Sequence, residues 1–501
     1  MEVYIDPDRI LHNIDRNIYG QFIENFHRCI YGGIYDPESP KSNESGLRKD
    51  VLGAIRNLKV PNIRWPGGCY GSAYHWENGV GDTKQRPSTY DLAWRVKDPH
   101  KFGTDEFINF CREVNTEPYF VTNAGTGTIE ESANWVEYCN LDKGTKYSDK
   151  RAKNGNPEPF GVRYWSIGNE NYGNWEIGAK SPSLFSEYVA ESAKAMRRVD
   201  PEIDLIAPAV KDIEWVDNLI TNAGEWLDYI AIHDYFSSNL KKKPNYKEVI
   251  SAPYVMEDLV SFVESSIERS ILSGKIQDPL KIAFDEWNLM GWAHHHPNER
   301  NPGTEVRELN DDNSQYALED AIFVASFLNM LQRHGKYVSL ANFSPLINVR
   351  GLIYTNKEDI VLRPHYHVFD LYRNKLGSHL LFSYISSPKK YKINLENRTR
   401  RIPVIEVTAT KNKRNEKIVL SVLNRSDEEI NSSLEFINST IKDPIDSYTI
   451  TGNSPKDYND VSNPKNIQIE QSYIDFKRDR TNRIAFSLPS YSVNVIEMGV
   501  K

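Results

Sequence analysis

A chain of 501 residues with a formal charge of −8 and 39% hydrophobic content has enough material for more than one core, because single cores rarely grow past about 250–300 residues. No apolar run approaches the roughly 20 residues a membrane helix needs, and the basic clusters at 241–243, 388–392 and 398–401 are short and interrupted, as solvated faces are. Neither a membrane nor a nucleic acid is therefore an expected partner. Cys29, Cys69, Cys111 and Cys139 lie far apart without a CxxC pair, which argues against a disulfide framework or a zinc ribbon.

The opening MEVYIDPDRI has neither a basic n-region nor an apolar h-region, so the expected compartment is the cytoplasm. Within residues 1–17, EVYID (2–6) reads as a strand that joins the sheet of a C-terminal domain. Residues 18–374 alternate short β-rich apolar runs with helical segments. The runs are IYGQF (18–22), NIRWPGG (62–68), PYFVTNAG (118–125), RYWSIGNE (163–170), DLIAPAV (204–210), YIAIHDYF (229–236), KIAFDEWN (281–288) and VSLANFSPL (338–346). Between them EFINFCREV (106–114), SLFSEYVAESAKAMRRV (183–199) and ALEDAIFVASFLNMLQRH (317–334) space apolar residues three or four apart, the helical period. Eight strands, apolar on both faces and alternating with helices, predict an α/β fold, a (β/α)8 TIM barrel. A doubly wound sheet is the competitor, but no Gly-rich phosphate loop follows the first strand. From 375 to 501 short β-branched segments separated by Asn, Asp, Gly, Lys and Pro predict an antiparallel, jelly-roll-like β-sandwich.

In such a barrel, chemistry sits at the C-terminal strand ends. Those ends carry Glu24 after strand 1, Arg64 on strand 2, Asn123 on strand 3, Asn169 and Glu170 on strand 4, His233 and Tyr235 on strand 6, and Asp285 and Glu286 on strand 7. A lone strand-end carboxylate is usually a helix cap or a surface charge. Two glutamates on nearly opposite strands, each closing an apolar aromatic run, instead match the paired carboxylates of glycoside hydrolysis. Burial among Trp165, Tyr172 and Trp175, with the charge of Glu286, is expected to raise Glu170 for the acid role. Arg64 or Tyr235 is expected to keep Glu286 ionised as nucleophile, and Asn169 to donate to the sugar 2-hydroxyl.

These residues resemble the retaining glycosidases built on (β/α)8 barrels, and within them glycoside hydrolase family 51, the α-L-arabinofuranosidases. The resemblance rests on FIENFHRCIYGGIYDPESP (22–40), RWPGGCYGSAYHWENGVG (64–81), RPSTYDLAWR (86–95), FGTDEFINFCR (102–112), NAGTGTIEESANWVEYCN (123–140), YWSIGNE (164–170) and FDEWN (284–288). It extends to RPHYHVFDLY (363–372) and LPSYSVNVIEM (488–498). It implies Glu170 as acid/base and Glu286 as nucleophile. It also implies a furanose pocket shaped by Glu24, Arg64, Cys69, Asn169, His233 and Tyr235, with Trp94 near the aglycone. Asn123 joins that set by position alone. The implied function is an exo-acting, retaining α-L-arabinofuranosidase that releases terminal arabinofuranose from arabinan or arabinoxylan fragments. It needs no cofactor or metal and assembles as a homo-oligomer, a trimer or hexamer.

Departures from the family pattern keep a β-xylosidase or an endo-β-glucanase as the alternative. Met290, with Trp292 beyond it, stands where many members carry an aromatic residue. FSPLIN (343–348) stands where members often carry a Gln, leaving Asn342 and Asn348 as the nearby amides. Rivals of other classes are a noncatalytic sugar-binding protein and a metal-dependent aldose isomerase. The triplet His294–His296 reads as a polar loop rather than a metal site.

Overall fold

The computed structural model describes residues 1–237, 243–291, 312–395, 398–412, 417–437, 441–474 and 483–500, with 441–444 in backbone only. Trp292 and the triplet His294–His296 lie outside the described residues.

Each of the eight apolar runs forms a strand. Barrel strands 1 to 8 are Gly20–Phe22, Asn62–Trp65, Glu117–Thr122, Tyr164–Ile167, Asp204–Ala209, Tyr229–Ser237, Lys281–Met290 and Val338–Phe343. They close in chain order, strand 8 returning to strand 1, with every pairing parallel. Both faces are apolar because both are covered. Tyr119, Tyr164, Ile206, Tyr229, Ala231, Ala283 and Leu340 fill the interior. Outside, Phe120 packs its ring 5.5 Å from Trp65, 4.8 Å from Trp135 and 5.1 Å from Trp165.

Closure is tightest at strand 1. A Cβ on Gly20 would stand 2.6 Å from the Ala341 carbonyl and 2.5 Å from Asn62 Oδ1, so the narrow seam between strands 8, 1 and 2 accepts only glycine. An amide plug completes it: Asn342 Nδ2 donates to Asn62 Oδ1 and to the Gln21 carbonyl, both at 2.7 Å. Asn342 thus serves barrel closure and has no amide hydrogen left for a sugar.

The helices follow their sequence signals. Pro182–Val199 begins with Ser181 accepting from the Leu184 N–H and Pro182 at the first turn, the arrangement that satisfies a helix's free donors. Leu318–Arg333 is buried from Leu318 to Gln332, more than its periodicity requires, because the second domain covers the side that would otherwise face water.

That domain is a nine-stranded sheet ordered Glu470–Tyr473, Ile441–Ile450, Ser492–Val500, Lys417–Asn424, Ile405–Lys411, His379–Ser386, Glu2–Asn13, Ile430–Phe436 and Arg483–Leu488. Strand residues of alternate parity face two cores. Ile418, Leu420 and Val422 meet Val3, Ile5, Leu434 and Phe486 inside the sandwich, whereas Val419, Leu423, Val493 and Val495 belong to the barrel's cluster. One pairing departs from the antiparallel expectation: Glu2–Ile5 runs parallel to Ser433–Phe436. A strand arriving from the far end of the chain is free of the hairpin constraint that makes sequential strands antiparallel.

A buried ionic cluster ties the domains together. Glu406 of the sandwich accepts from Arg425, from Arg333 at 2.7 Å and from Ser326 at 2.9 Å, the last two on helix Leu318–Arg333. Tyr254, on helix Tyr246–Leu272, adds a bond at 3.2 Å.

Candidate active site

At the C-terminal ends of the strands lies a cavity of about 660 Å³, lined by Glu24, Gly68, Cys69, Trp94, Glu170, His233, Tyr235 and Glu286 among others. That is the size of an ordinary small-ligand site. Strand register sets its geometry: Glu286 lies opposite His233 across strands 7 and 6, and Arg64 lies opposite Phe22 across strands 2 and 1.

Arg64, fully buried, organises the centre. Its guanidinium reaches Asp285 Oδ2 at 3.1 Å, donates to Glu286 Oε1 at 2.6 Å and donates to Asn169 Oδ1 at 2.8 Å. Tyr235 donates to Glu286 Oε2 at 2.9 Å, so each oxygen of Glu286 has a donor. Asn169 gives its oxygen to Arg64, and its buried amide nitrogen has no hydrogen-bond partner among the described residues. A buried donor of that kind costs stability unless a ligand satisfies it.

Glu170 follows strand 4 at φ 44°, a left-handed conformation rare for glutamate and characteristic of functional positions. Its Oε1 lies 3.0 Å from His233 Nδ1 and accepts from Tyr172 OH at 3.3 Å, and its Oε2 accepts from Trp175 Nε1 at 2.8 Å. His233 Nε2 stands 3.0 Å from Asp285 Oδ1. One oxygen of Glu170, one of Glu286 and a ring nitrogen of His233 all lie within 4.8 Å of one another.

The electrostatics correct one expectation. Burial pushes Glu170 up, as anticipated, but the hydrogen bond and charge of His233, the Trp175 donor and the Arg64 charge outweigh it and hold the carboxyl below its usual range. His233 moves the other way: burial pulls it down, yet the charges of Glu286 and Asp285 and the bonds to Asp285 and Glu170 lift it to about 10. The two directions together favour a protonated imidazole beside an ionised Glu170. Aromatic neighbours were expected to desolvate Glu170. Burial does so, but Trp175 and Tyr172 also turn their polar edges toward it.

Two carboxyls near Glu170 are raised. Burial lifts Glu24 to about 8 against the bonds from Trp94 and Tyr70, which both reach Oε1, at 2.9 and 2.8 Å. Burial also lifts Glu176 to about 7, against side-chain bonds to Cys69 and Ser72. The Cys69 thiol is pushed far up by burial and neighbouring carboxylates and stays neutral.

Of the predicted residues, Glu24, Cys69, Trp94, Glu170, His233, Tyr235 and Glu286 line the cavity, and Arg64 and Asn169 meet directly behind it. Asn123 does not. Its amide caps its own strand-end turn, donating to the Tyr74 carbonyl and Thr126 Oγ1 and accepting from Gly125 and Thr126 N–H. Asn348 is equally engaged, with Arg28 and Thr355. Met290 ends strand 7, 4% exposed.

Asp285, read from the sequence as a strand-end residue with no stated role, is the hub joining Arg64, His233 and Tyr119. Two participants escaped sequence reasoning. Glu176 folds back from the loop after Glu170. Gly68 forms the floor, where a Cβ would stand 2.8 Å from Glu286 Oε1. Only Gly68 left a readable trace, the Pro-Gly-Gly turn after strand 2.

Glu170, His233 and Glu286 form one constellation of metal-ligand type, and Cys69, Glu170 and Glu176 form another. A cation in the first would sit beside the Arg64 guanidinium and compete with the bonds that Arg64, Tyr235 and His233 already make. The donor set suits proton handling better than metal binding.

Two facing glutamates at the strand ends of a parallel barrel, one held by Arg64 and one by His233, place the protein among the glycoside hydrolases. The family model described as "Alpha-L-arabinofuranosidase 1 domain" matches residues 54–250, and "Alpha-L-arabinofuranosidase C-terminal domain" matches 285–492. Alpha-L-arabinofuranosidase C of Emericella nidulans is 36% identical over 400 residues, 77% of this chain and 76% of its own. The intracellular exo-alpha-(1->5)-L-arabinofuranosidase 1 of Bacillus subtilis is 31% identical over 443 residues, 86% of each chain. A thermostable family 51 arabinofuranosidase structure from Thermotoga petrophila superposes with a TM-score of 0.88 at 33% identity, covering 99% of both chains. The chain belongs to glycoside hydrolase family 51, the α-L-arabinofuranosidases.

Proposed function

We propose that the protein is an exo-acting, retaining α-L-arabinofuranosidase that releases terminal arabinofuranosyl residues from arabinan or arabinoxylan oligosaccharides. The observation that carries retention is the approach of Glu170 and Glu286 oxygens within 4.8 Å. Retaining enzymes hold their carboxyls about 5–5.5 Å apart, whereas inverting ones need about 6.5–9.5 Å to admit a water. Glu286 attacks the anomeric carbon while Glu170 protonates the departing oxygen. Water, deprotonated by Glu170, then releases the sugar from Glu286 with net retention. Asn169 Nδ2 donates to the 2-hydroxyl and Glu24 Oε2 faces the ring. Exo action is supported by the name of the Bacillus relative, as is an intracellular location. Among the described residues no helix is long and apolar enough to cross a membrane. The family resemblance supports a trimer or hexamer, which light scattering tests.

The test is Glu170→Ala on two arabinofuranosides, one with a nitrophenyl and one with a sugar leaving group. The sugar-linked substrate should lose about 10²–10⁴-fold in rate, the activated one should be limited by deglycosylation, and azide should accelerate the latter with a glycosyl azide of retained configuration. Equal losses without azide rescue remove Glu170 from the acid/base role. Nitrophenyl β-D-xyloside and a polymeric β-glucan, assayed alongside, separate the xylosidase and endoglucanase alternatives.

A further inference from the structure

A general acid must carry a proton when the leaving group is in place, yet every contact to Glu170 favours the ionised form. Oε1 faces the His233 imidazole and the Tyr172 hydroxyl, which line the cavity but are held by packing: the His233 side chain is 2% exposed and Tyr172 packs edge-on against Trp215 at 5.7 Å. Oε2 is different. Its hydrogen bond comes from Trp175 Nε1, and Trp175 is 49% exposed at the cavity's edge. Oε2 is therefore the oxygen an incoming glycosidic oxygen can reach, and reaching it means taking the place of the indole N–H.

The loop is built to allow this. Gly173 N–H closes a turn on the Glu170 carbonyl at 2.7 Å, and Glu176 N–H closes a second on the Gly173 carbonyl at 3.0 Å. The indole lies over Gly173, where a Cβ would stand 2.4 Å from Trp175 Cε2. Glu176, buried on the other side, anchors the loop while the ring faces solvent.

We propose that Trp175 is a positioning residue whose indole N–H is displaced from Glu170 Oε2 by the leaving group, so that Glu170 is protonated only in the loaded site and reverts to carboxylate once the aglycone departs. This rests on Glu170 being the acid/base. In the first half, a proton from solvent settles on Oε2 as the indole leaves, then passes to the glycosidic oxygen as its bond to the anomeric carbon breaks and the Glu286 ester forms. In the second half the indole donates to Oε2 until the attacking water takes its place there, and that oxygen takes a proton from the water as the water oxygen bonds to carbon and the Glu286 ester breaks. That proton returns to solvent.

Other charges face Glu170 throughout: His233 and Tyr235 from strand 6, Arg64 and Cys69 from strand 2 and its turn, Asp285 and Glu286 from strand 7, Glu24 from strand 1, and Tyr172 and Glu176 from its own loop. None is exchanged by aglycone binding, so the indole donor is the variable.

Trp175→Phe keeps an aromatic ring and removes the donor. Loss of one donor to a carboxylate raises its proton affinity by about tenfold, or roughly one pH unit. The expected result is that the basic limb of kcat/KM for a sugar-linked arabinofuranoside moves up by about one pH unit. The acidic limb of kcat for an activated aryl arabinofuranoside, where ionised Glu170 is the base, should move up with it. A ring that serves only as a packing surface would change KM and leave both limbs in place, which overturns the proposal. The same profiles in Glu170→Ala separate the two claims. If Glu170→Ala shows the leaving-group dependence described above but Trp175→Phe moves no limb, only the displacement fails. If Glu170→Ala lacks that dependence, the acid/base assignment fails first.

Discussion

Glu286→Ala should abolish turnover on every arabinofuranoside, activated or not, by more than about 10⁴-fold, since no group that remains can form the covalent intermediate. The geometry predicts that this loss is chemical rather than structural. Arg64 keeps Asp285 at 3.1 Å and Asn169 at 2.8 Å, so the guanidinium stays paired when Glu286 is removed. Binding of arabinose and the thermal midpoint should therefore change little. Added azide should give no product of retained configuration, in contrast to Glu170→Ala, because azide can take the place of attacking water but a retained product needs two displacements. Residual activity within about 10²-fold of the parent enzyme, independent of azide, would move the nucleophile elsewhere.

The second large effect is on stability. Arg425→Met should cost about 3–5 kcal/mol, the range for breaking a buried ion pair from one side. The reason is that Glu406 and Arg425 have 6% and 0% exposed side chains where the sandwich meets helix Leu318–Arg333. Burial pushes Glu406 up, but the charges of Arg425 and Arg333 and the hydrogen bonds from them bring it down to about 2. A carboxyl depressed in the folded state adds stability above its unfolded value, and that stability is lost as pH falls from there toward about 2. The parent enzyme should thus lose stability progressively below about pH 4.5, read as a falling denaturation midpoint. Arg425→Met should start lower and show a shallower acid loss. Replacing both partners, Glu406→Leu with Arg425→Met, should recover much of the deficit because the charge left behind, Arg333, is 35% exposed and keeps Glu257 at 3.6 Å. A double variant no better than Arg425→Met would mean that packing, not charge, dominates this interface.

The two predictions draw on residues of unequal visibility in the chain. Glu286 and Glu170 could be read directly, because each ends an apolar run and strand ends are where such a barrel does chemistry. The eight strands were equally legible, since an apolar run bounded by turn residues is a local signal. Glu406 and Arg425 carry no comparable mark. They are ordinary charged residues in a β-rich stretch, and only the meeting of sandwich and helix buries them. Asn123 shows the opposite failure. It occupies a strand end, as a pocket residue should, but a local turn claims its amide. Glu176, six residues after Glu170, enters the site because two consecutive turns fold it back.

By itself the sequence determined the number and order of the barrel strands, the two catalytic candidates and the family, all of which depend on residue type and short-range spacing. The tertiary structure decided the protonation pattern. Glu170 was expected to be raised by burial, and it is lowered because barrel closure brings His233 of strand 6, Arg64 of strand 2 and the Trp175 indole onto one carboxyl. A pKa is a sum over groups distant in the chain, and no window of sequence contains that sum.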